Sequence, residues 1–229
     1  MKVLSLETSA KQFSLAISDG GKVLKSCKMV LDKVLSDSIV PAIEKILKDS
    51  KLPLAQIDAL VVGLGPGSFT SLRVGLSTVK GLAFAADKPV IGIPSLDAVA
   101  LNVGETPSQI CVIADAKRNM VYAALYENKK GSLKRESEYL LTPLTDLLGR
   151  IEADTVFVGD AVKLYQPQLE AYFSNKNKLK IDFAPESQAH PDAKGLIVLA
   201  QNDLKKKKFA NIDKLVPLYL YPEDCQVQK

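Results

Sequence analysis

The chain has 229 residues, of which 47% are hydrophobic and 24% charged, and it carries a formal net charge of +4. That length fits one large domain or two small ones and can bury ~70% or more of its unfolded surface. Its longest apolar runs, such as "IDALVVGLG", fall far short of the ~20 residues that cross a bilayer, and a pI of about 8.8 permits contact with nucleic acid without demanding it.

The first residues read as a strand, "KVLSLE", with no secretory apolar region. "FSLAIS" and "KVLKSCK" follow as strands about a hairpin at Asp19–Gly21. A helical pattern then places Ile39, Val40, Ile43, Ile46 and Leu47 on one face, with Ser36 and Ser38 as cap candidates and Pro41 in its first turn or at a kink. A buried strand at Ile57–Leu64 leads into "GPGS" and a helix running to about Ala86. "KPVIGI" is a strand, and Ser95 caps a short helix, "LDAVALNV".

The second half repeats the order. "QICVIAD", "MVYAALYE" and roughly "SLKRESEYL" read as strands, and Thr142 caps a helix with Pro143 at its first position. "TVFVGD" is a strand, "AVKLYQPQLEAYF" a helix interrupted by Pro167, "KIDFA" a strand and "DAKGLIVLAQNDL" the closing helix. One order, βββαβαβα, found twice indicates two similar domains joined near Val103–Gln109, which divides the chain into 1–105 and 106–229.

Chemistry-bearing residues are few. Cys27, Cys111 and Cys225 are odd in number and widely spaced, which suits a reducing cytoplasm. His190 is the single histidine and has no ligand-spaced neighbour. Gly65 and Gly67 allow positive φ on either side of Pro66, and Ser68 follows them, so the loop turns sharply from strand into helix. Exposed N–H groups there would attract an anion, yet the nucleotide-binding signatures are missing. A phosphate site and a tight turn both remain open. Arg73 opposes the helix dipole in or near the first turn, and an internal partner, Glu7 or Asp97, accounts for it. Asp115 and Asp160 end strands as metal-holding or turn-capping acids. Lys205, Lys206, Lys207 and Lys208 close the last helix, favourably for its dipole or as contacts to nucleic-acid phosphates.

The duplicated order resembles the actin/hexokinase/Hsp70-like (ASKHA) architecture. Within it, "VLSLETSAKQFSLAI", "GLGPGSFTSLRVGLSTVKGLA", "PVIGIPSLDAVA", "ADAKRNMVYAALY", "FVGDAVKLY" and "LVPLYLY" resemble the TsaB (YeaZ) family over most of the chain. The resemblance implies a non-catalytic subunit that associates with TsaD and TsaE. Together they transfer a threonylcarbamoyl group to the adenosine beside a tRNA anticodon, with ATP and metal held by the partner subunits and tRNA reached through the complex. It also implies that two helices pack against TsaD or, in isolation, a second copy. On this chain that face comprises Ser38, Ala42 and Lys45, with Val74, Gly75, Thr78, Gly81, Leu82 and Ala85. The sequence departs from the family's usual Asp at Glu7, His at Leu35, and Gly at Ser71 and Ala161. The alternatives are an active kinase or ATPase of the same fold using Asp115 and Asp160, and a peptidase, for which H-E-x-x-H and any triad are missing.

Overall fold

The computed structural model describes residues 1–30, 35–174 and 179–221; Cys225 lies outside them. The first half runs β1 (Lys2–Glu7), β2 (Gln12–Asp19), β3 (Lys22–Val30), α1 (Leu35–Asp49), β4 (Ala59–Gly63), α2 (Phe69–Ala86), β5 (Val90–Ile93) and α3 (Ser95–Leu101). The second runs β6 (Gln109–Asp115), β7 (Met120–Lys129), β8 (Ser132–Arg135), β9 (Leu140–Pro143), α4 (Leu144–Leu148), β10 (Thr155–Val158), α5 (Val162–Ser174), β11 (Ile181–Phe183) and α6 (Ala193–Lys205). The duplication is present in the sheets. The first is ordered β3-β2-β1-β4-β5 and the second β8-β7-β6-β10-β11, with the first three strands of each antiparallel and the rest parallel.

Side-chain alternation decides what each face of the first sheet buries. Leu4, Leu6, Phe13, Leu15, Ile17, Leu60 and Val62 pack with Ile39, Ile43 and Ile46 of α1 and Leu76, Val79 and Ala83 of α2. The opposite face, Val3, Ala16, Ala59, Val61, Ile91 and Ile93, needs its own cover. α6 supplies it through Leu196, Ile197, Ala200 and Leu204. In the second unit Cys111, Ile113, Val121, Ala123, Leu125 and Phe157 pack with α4 and α5.

The compact units are therefore Met1–Ala98 with Pro191–Leu218, and Val99–His190 with the chain from Tyr219. This differs from a division at 105 and 106, because the closing helix returns to the first sheet. Four local expectations also change. The strand expected over "SLKRESEYL" is two strands: β8 and β9 pair with different stretches of β7, and between them the Leu125 N–H is taken by Ser137 Oγ at 3.0 Å. Thr142 lies in β9, and Pro143 caps α4 without a side-chain bond. Pro167 lies inside a continuous α5, and Pro41 lies past the first turn of α1.

Leu196→Ala should lower stability by about 2–5 kcal/mol, read as a shifted urea midpoint, with amide protection lost first in β1 and β4. Protection lost only in β6 and β10 would contradict the placement of α6.

Candidate functional site

β1 ends at Glu7, whose side chain is fully buried. Its Oε1 accepts the Ser9 N–H at 2.6 Å and its Oε2 accepts the Ser95 hydroxyl at 2.7 Å. Ser95 Oγ accepts the Gly65 N–H at 3.0 Å, and the Ser95 N–H donates to the Gly65 carbonyl at 2.7 Å. Ser68 N–H donates to the Ser9 carbonyl at 2.9 Å. One carboxyl thus ties together the end of β1, the Gly65–Ser68 loop and the start of α3. The fit is tight: a Cβ on Gly63 would overlap the Glu7 carboxylate. Burial pushes the Glu7 pKa above its ordinary 4.5, and the bonds from Ser9 and Ser95 oppose that rise.

The loop's donors point inward. The N–H groups of Leu64, Gly65 and Ser68 bond to Ile93, Ser95 and Ser9. Gly65 has φ 86, as expected. Gly67 is not at positive φ; it is small because a Cβ would overlap the Ser9 carbonyl. Ser68 caps α2, accepting from the Ser71 N–H at 3.4 Å. Arg73 is exposed, with its guanidinium carbon 3.8 Å above the Phe69 ring. Glu7, one of the two carboxylates expected to pair with it, has both oxygens held by Ser9 and Ser95.

Behind the loop, α2 buries Leu72, Gly75, Leu76, Val79 and Ala83. Its outward side carries Ser77, Thr78, Gly81, Phe84 and Ala85. Phe84 is 90% exposed and Phe69 54%. The hydroxyls of Ser77 and Thr78 turn back to the Val74 carbonyl at 3.0 and 2.8 Å, while the exposed Arg73 and the half-exposed Lys80 share the stripe of Phe84, so the face combines apolar and cationic groups. Val74 and Leu82 are half-buried against the core. Gly81 has open space around it.

Four residues expected at the two-helix surface lie away from this side of α2. Gly75 is buried because a Cβ would overlap Thr8 of the same chain. Ala42 and Lys45 line a groove beside β3, and Ser38 precedes Ala42 by one turn on that side of α1. Phe84 and Phe69 were not singled out by sequence reasoning, and Val40, expected on the apolar face of α1, is 48% exposed. Continuing the helical wheel past Ala83 would have found Phe84.

In the second unit Asp160 Oδ1 accepts the Asp115 N–H at 3.0 Å, and Asp115 Oδ1 accepts the Lys117 N–H at 2.8 Å. Asp115 also pairs with the Lys117 ammonium. The two acids come together and both bond to turn N–H groups. His190 accepts from the Asn102 side-chain amide through its carbonyl at 2.9 Å. In the first unit Lys205 ends α6, Lys206 is its C-cap, and Lys207 has φ 52; all four lysines from 205 to 208 are exposed.

Comparison with known proteins gives this geometry a family. Residues 30–228 match the family model described as TsaD, tRNA N6-adenosine threonylcarbamoyltransferase. The chain is 32% identical over 235 residues to the tRNA threonylcarbamoyladenosine biosynthesis protein TsaB of Haemophilus influenzae, covering 97% of this chain and 94% of that protein. The chain belongs to the TsaB family. YeaZ from Pseudomonas aeruginosa has the same fold, with a TM-score of 0.76 at 23% identity, over 96% of this chain and 99% of that one. A candidate N-acetylmannosamine kinase from Listeria monocytogenes aligns with a TM-score of 0.53 at 9% identity, over 90% of this chain and all of its own. The fold is therefore α/β of the actin/hexokinase type. Where the resemblance implied an Asp, Glu7 stands, and its carboxylate reaches both Ser9 and Ser95.

Glu7 supplies a pH test. Its folded-state pKa lies above 4.5, so as pH rises the unfolded chain releases this proton first, and stability falls through the window between the two values. Glu7→Gln removes that slope: its urea midpoint relative to wild type should improve steadily from acid to neutral pH. An improvement toward acid pH would contradict the buried, raised carboxyl.

Proposed function

We propose that this chain is a non-catalytic, partner-binding subunit of tRNA threonylcarbamoyladenosine biosynthesis, and that it docks a TsaD-type subunit through the outward face of α2. The observation that carries this reading is Phe84, 90% exposed on a helix face whose hydroxyls bond inward. Aromatic side chains are enriched among the residues that anchor binding surfaces, and Phe84 and Phe69 are both exposed on this helix. The family's naming supports the pathway. The absence of a catalytic role is supported by Glu7 and the Gly65–Ser68 loop, whose polar groups bond to one another. In this reading Gly65, Pro66, Gly67 and Ser68 shape the launch of α2, Arg73 braces Phe69, Gly81 lies beside Phe84, and Thr78, Ala85 and the half-buried Leu82 form one flank of the face. The complex it enters includes a TsaE-type ATPase and reaches tRNA mainly through the other subunits. No described helix is long and apolar enough to cross a membrane, which agrees with a cytoplasmic place of work.

Gly81→Arg tests the face cleanly. The site is open, and replacing a helical glycine should raise helix stability by up to ~1 kcal/mol. The variant should keep its circular dichroism and melting temperature, yet bind TsaD at least roughly 30-fold more weakly, as for loss of a ~2 kcal/mol contact. Undiminished binding by both Gly81→Arg and Phe84→Glu would remove α2 as the docking face.

Lys205 to Lys208 act on the helix end in this account. Alanine at Lys205 and Lys206 should cost about 0.3–1 kcal/mol of stability and leave the tRNA affinity of the assembled complex unchanged. A reduced salt slope of tRNA binding would instead make them phosphate contacts.

A further inference from the structure

The first sheet treats its two edges differently. At the β5 edge the chain covers itself: the Ala210 N–H donates to the Val90 carbonyl at 2.9 Å, and Leu215 packs near Gly92. At the other edge β3 runs for 9 residues with no further strand among the described residues. Among the described residues its outward backbone groups make no hydrogen bond. Leu24, Met29 and Val30 are 47, 38 and 63% exposed along it. α1 packs over β2 and stops short of covering β3, which leaves a groove of about 300 Å³. Cys27, Met29, Ala42 and Ile46 form its apolar floor, and Lys25, Lys28 and Lys45 outnumber Asp49 at its rim. Among the described residues neither Lys25 nor Lys45 is in an ion pair; Lys28 is held by Asp192 at 2.7 Å.

We propose that β3 is a docking edge that takes an extended, acidic segment of another protein as an added strand, with alternate side chains entering the groove between β3 and α1. Lysines on an edge strand are also the common guard against unwanted pairing. Here the guard is selective. By the pairing of β3 with β2, Lys25 (opposite Ile17) lies on the groove side and Lys28 (opposite Ser14) on the other, so a second copy paired edge to edge would bring further lysines to both faces, whereas a strand bearing carboxylates gains contacts there. The exposed Leu24, Met29 and Val30 and the groove floor give such a strand apolar contacts that a purely protective edge would not keep. The surface lies apart from the outward side of α2, and its occupant is independent of that docking.

The test uses the full chain with Cys225→Ser and a fluorescent synthetic peptide alternating Glu and Val, of about the length of β3. Controls are a Lys–Val peptide and two Glu–Val peptides N-methylated on alternate residues, one for each edge. The Glu–Val peptide should bind saturably, slow amide exchange across Lys22–Val30 and protect Cys27 from iodoacetamide, with the buried Cys111 silent. Lys25→Glu with Lys45→Glu should weaken binding by roughly tenfold, one N-methylated peptide should fail, and Gly81→Arg should bind as wild type. Absence of saturable binding, equal binding of the Lys–Val peptide, undiminished binding of both N-methylated peptides, or protection outside β3 and α1 would overturn the proposal. So would concentration-dependent protection of β3 without peptide, which would make a second copy the occupant.

Discussion

The structure of the first unit turns on a single buried carboxyl. Among the described residues Glu7 has no ion-pair partner; it is held by one backbone N–H and one hydroxyl, and the surrounding chain has shed side chains to let it in. Gly63 leaves room for its head, and Gly67 lets Ser9 approach. Burying an acid without these bonds would cost several kcal/mol, so the serines and the glycine spacing form one requirement. What the arrangement fixes is the angle at which α2 leaves the sheet, since Ser68 both bonds to Ser9 and caps the helix. Thr8 against Gly75 sets the depth at which α2 sits.

That constraint has a consequence for function. A loop that spends the Leu64, Gly65 and Ser68 N–H groups on its own chain has few donors left to cradle a phosphate, although its strand–loop–helix form is one that nucleotide-binding proteins use. With the loop closed, the feature of the first unit that most calls for a partner is the far side of the same helix. There Ser77 and Thr78 hide their hydroxyls, Gly81 and Ala85 keep the backbone approachable, and Phe84 stands in solvent. In the proposed reading, internal polar bonding and external apolar exposure are the two sides of one device: α2 is held rigid from behind so that it can be gripped from in front.

Much of this was legible in the sequence because local pattern and global fold agree. The alternation in "KVLSLE" and "FSLAIS", the repeated element order and the stripe through Leu72, Leu76, Val79 and Ala83 all reappear in the structure. The failures share a cause: each depended on contacts distant in sequence. Nothing local says that α6 returns to the first sheet; the uncovered face of Val3, Val61 and Ile91 demands it. Gly75 read as an interface glycine because its reason, Thr8, lies on another element. Ala42 and Lys45 read as neighbours of the α2 face, but the register of α1 on β2 turns them toward β3. The split of β8 from β9 rests on the Ser137 hydroxyl, which no periodicity registers.

The central claim is that this chain acts through the outward face of α2, and site-specific photo-crosslinking tests it most directly. Phe84→p-benzoylphenylalanine should yield a covalent adduct with TsaD on illumination of the assembled complex. The same replacement at Leu164, 60% exposed on α5 of the other unit, should yield none. An adduct from position 164 and none from position 84, with both variants folded, would contradict the account.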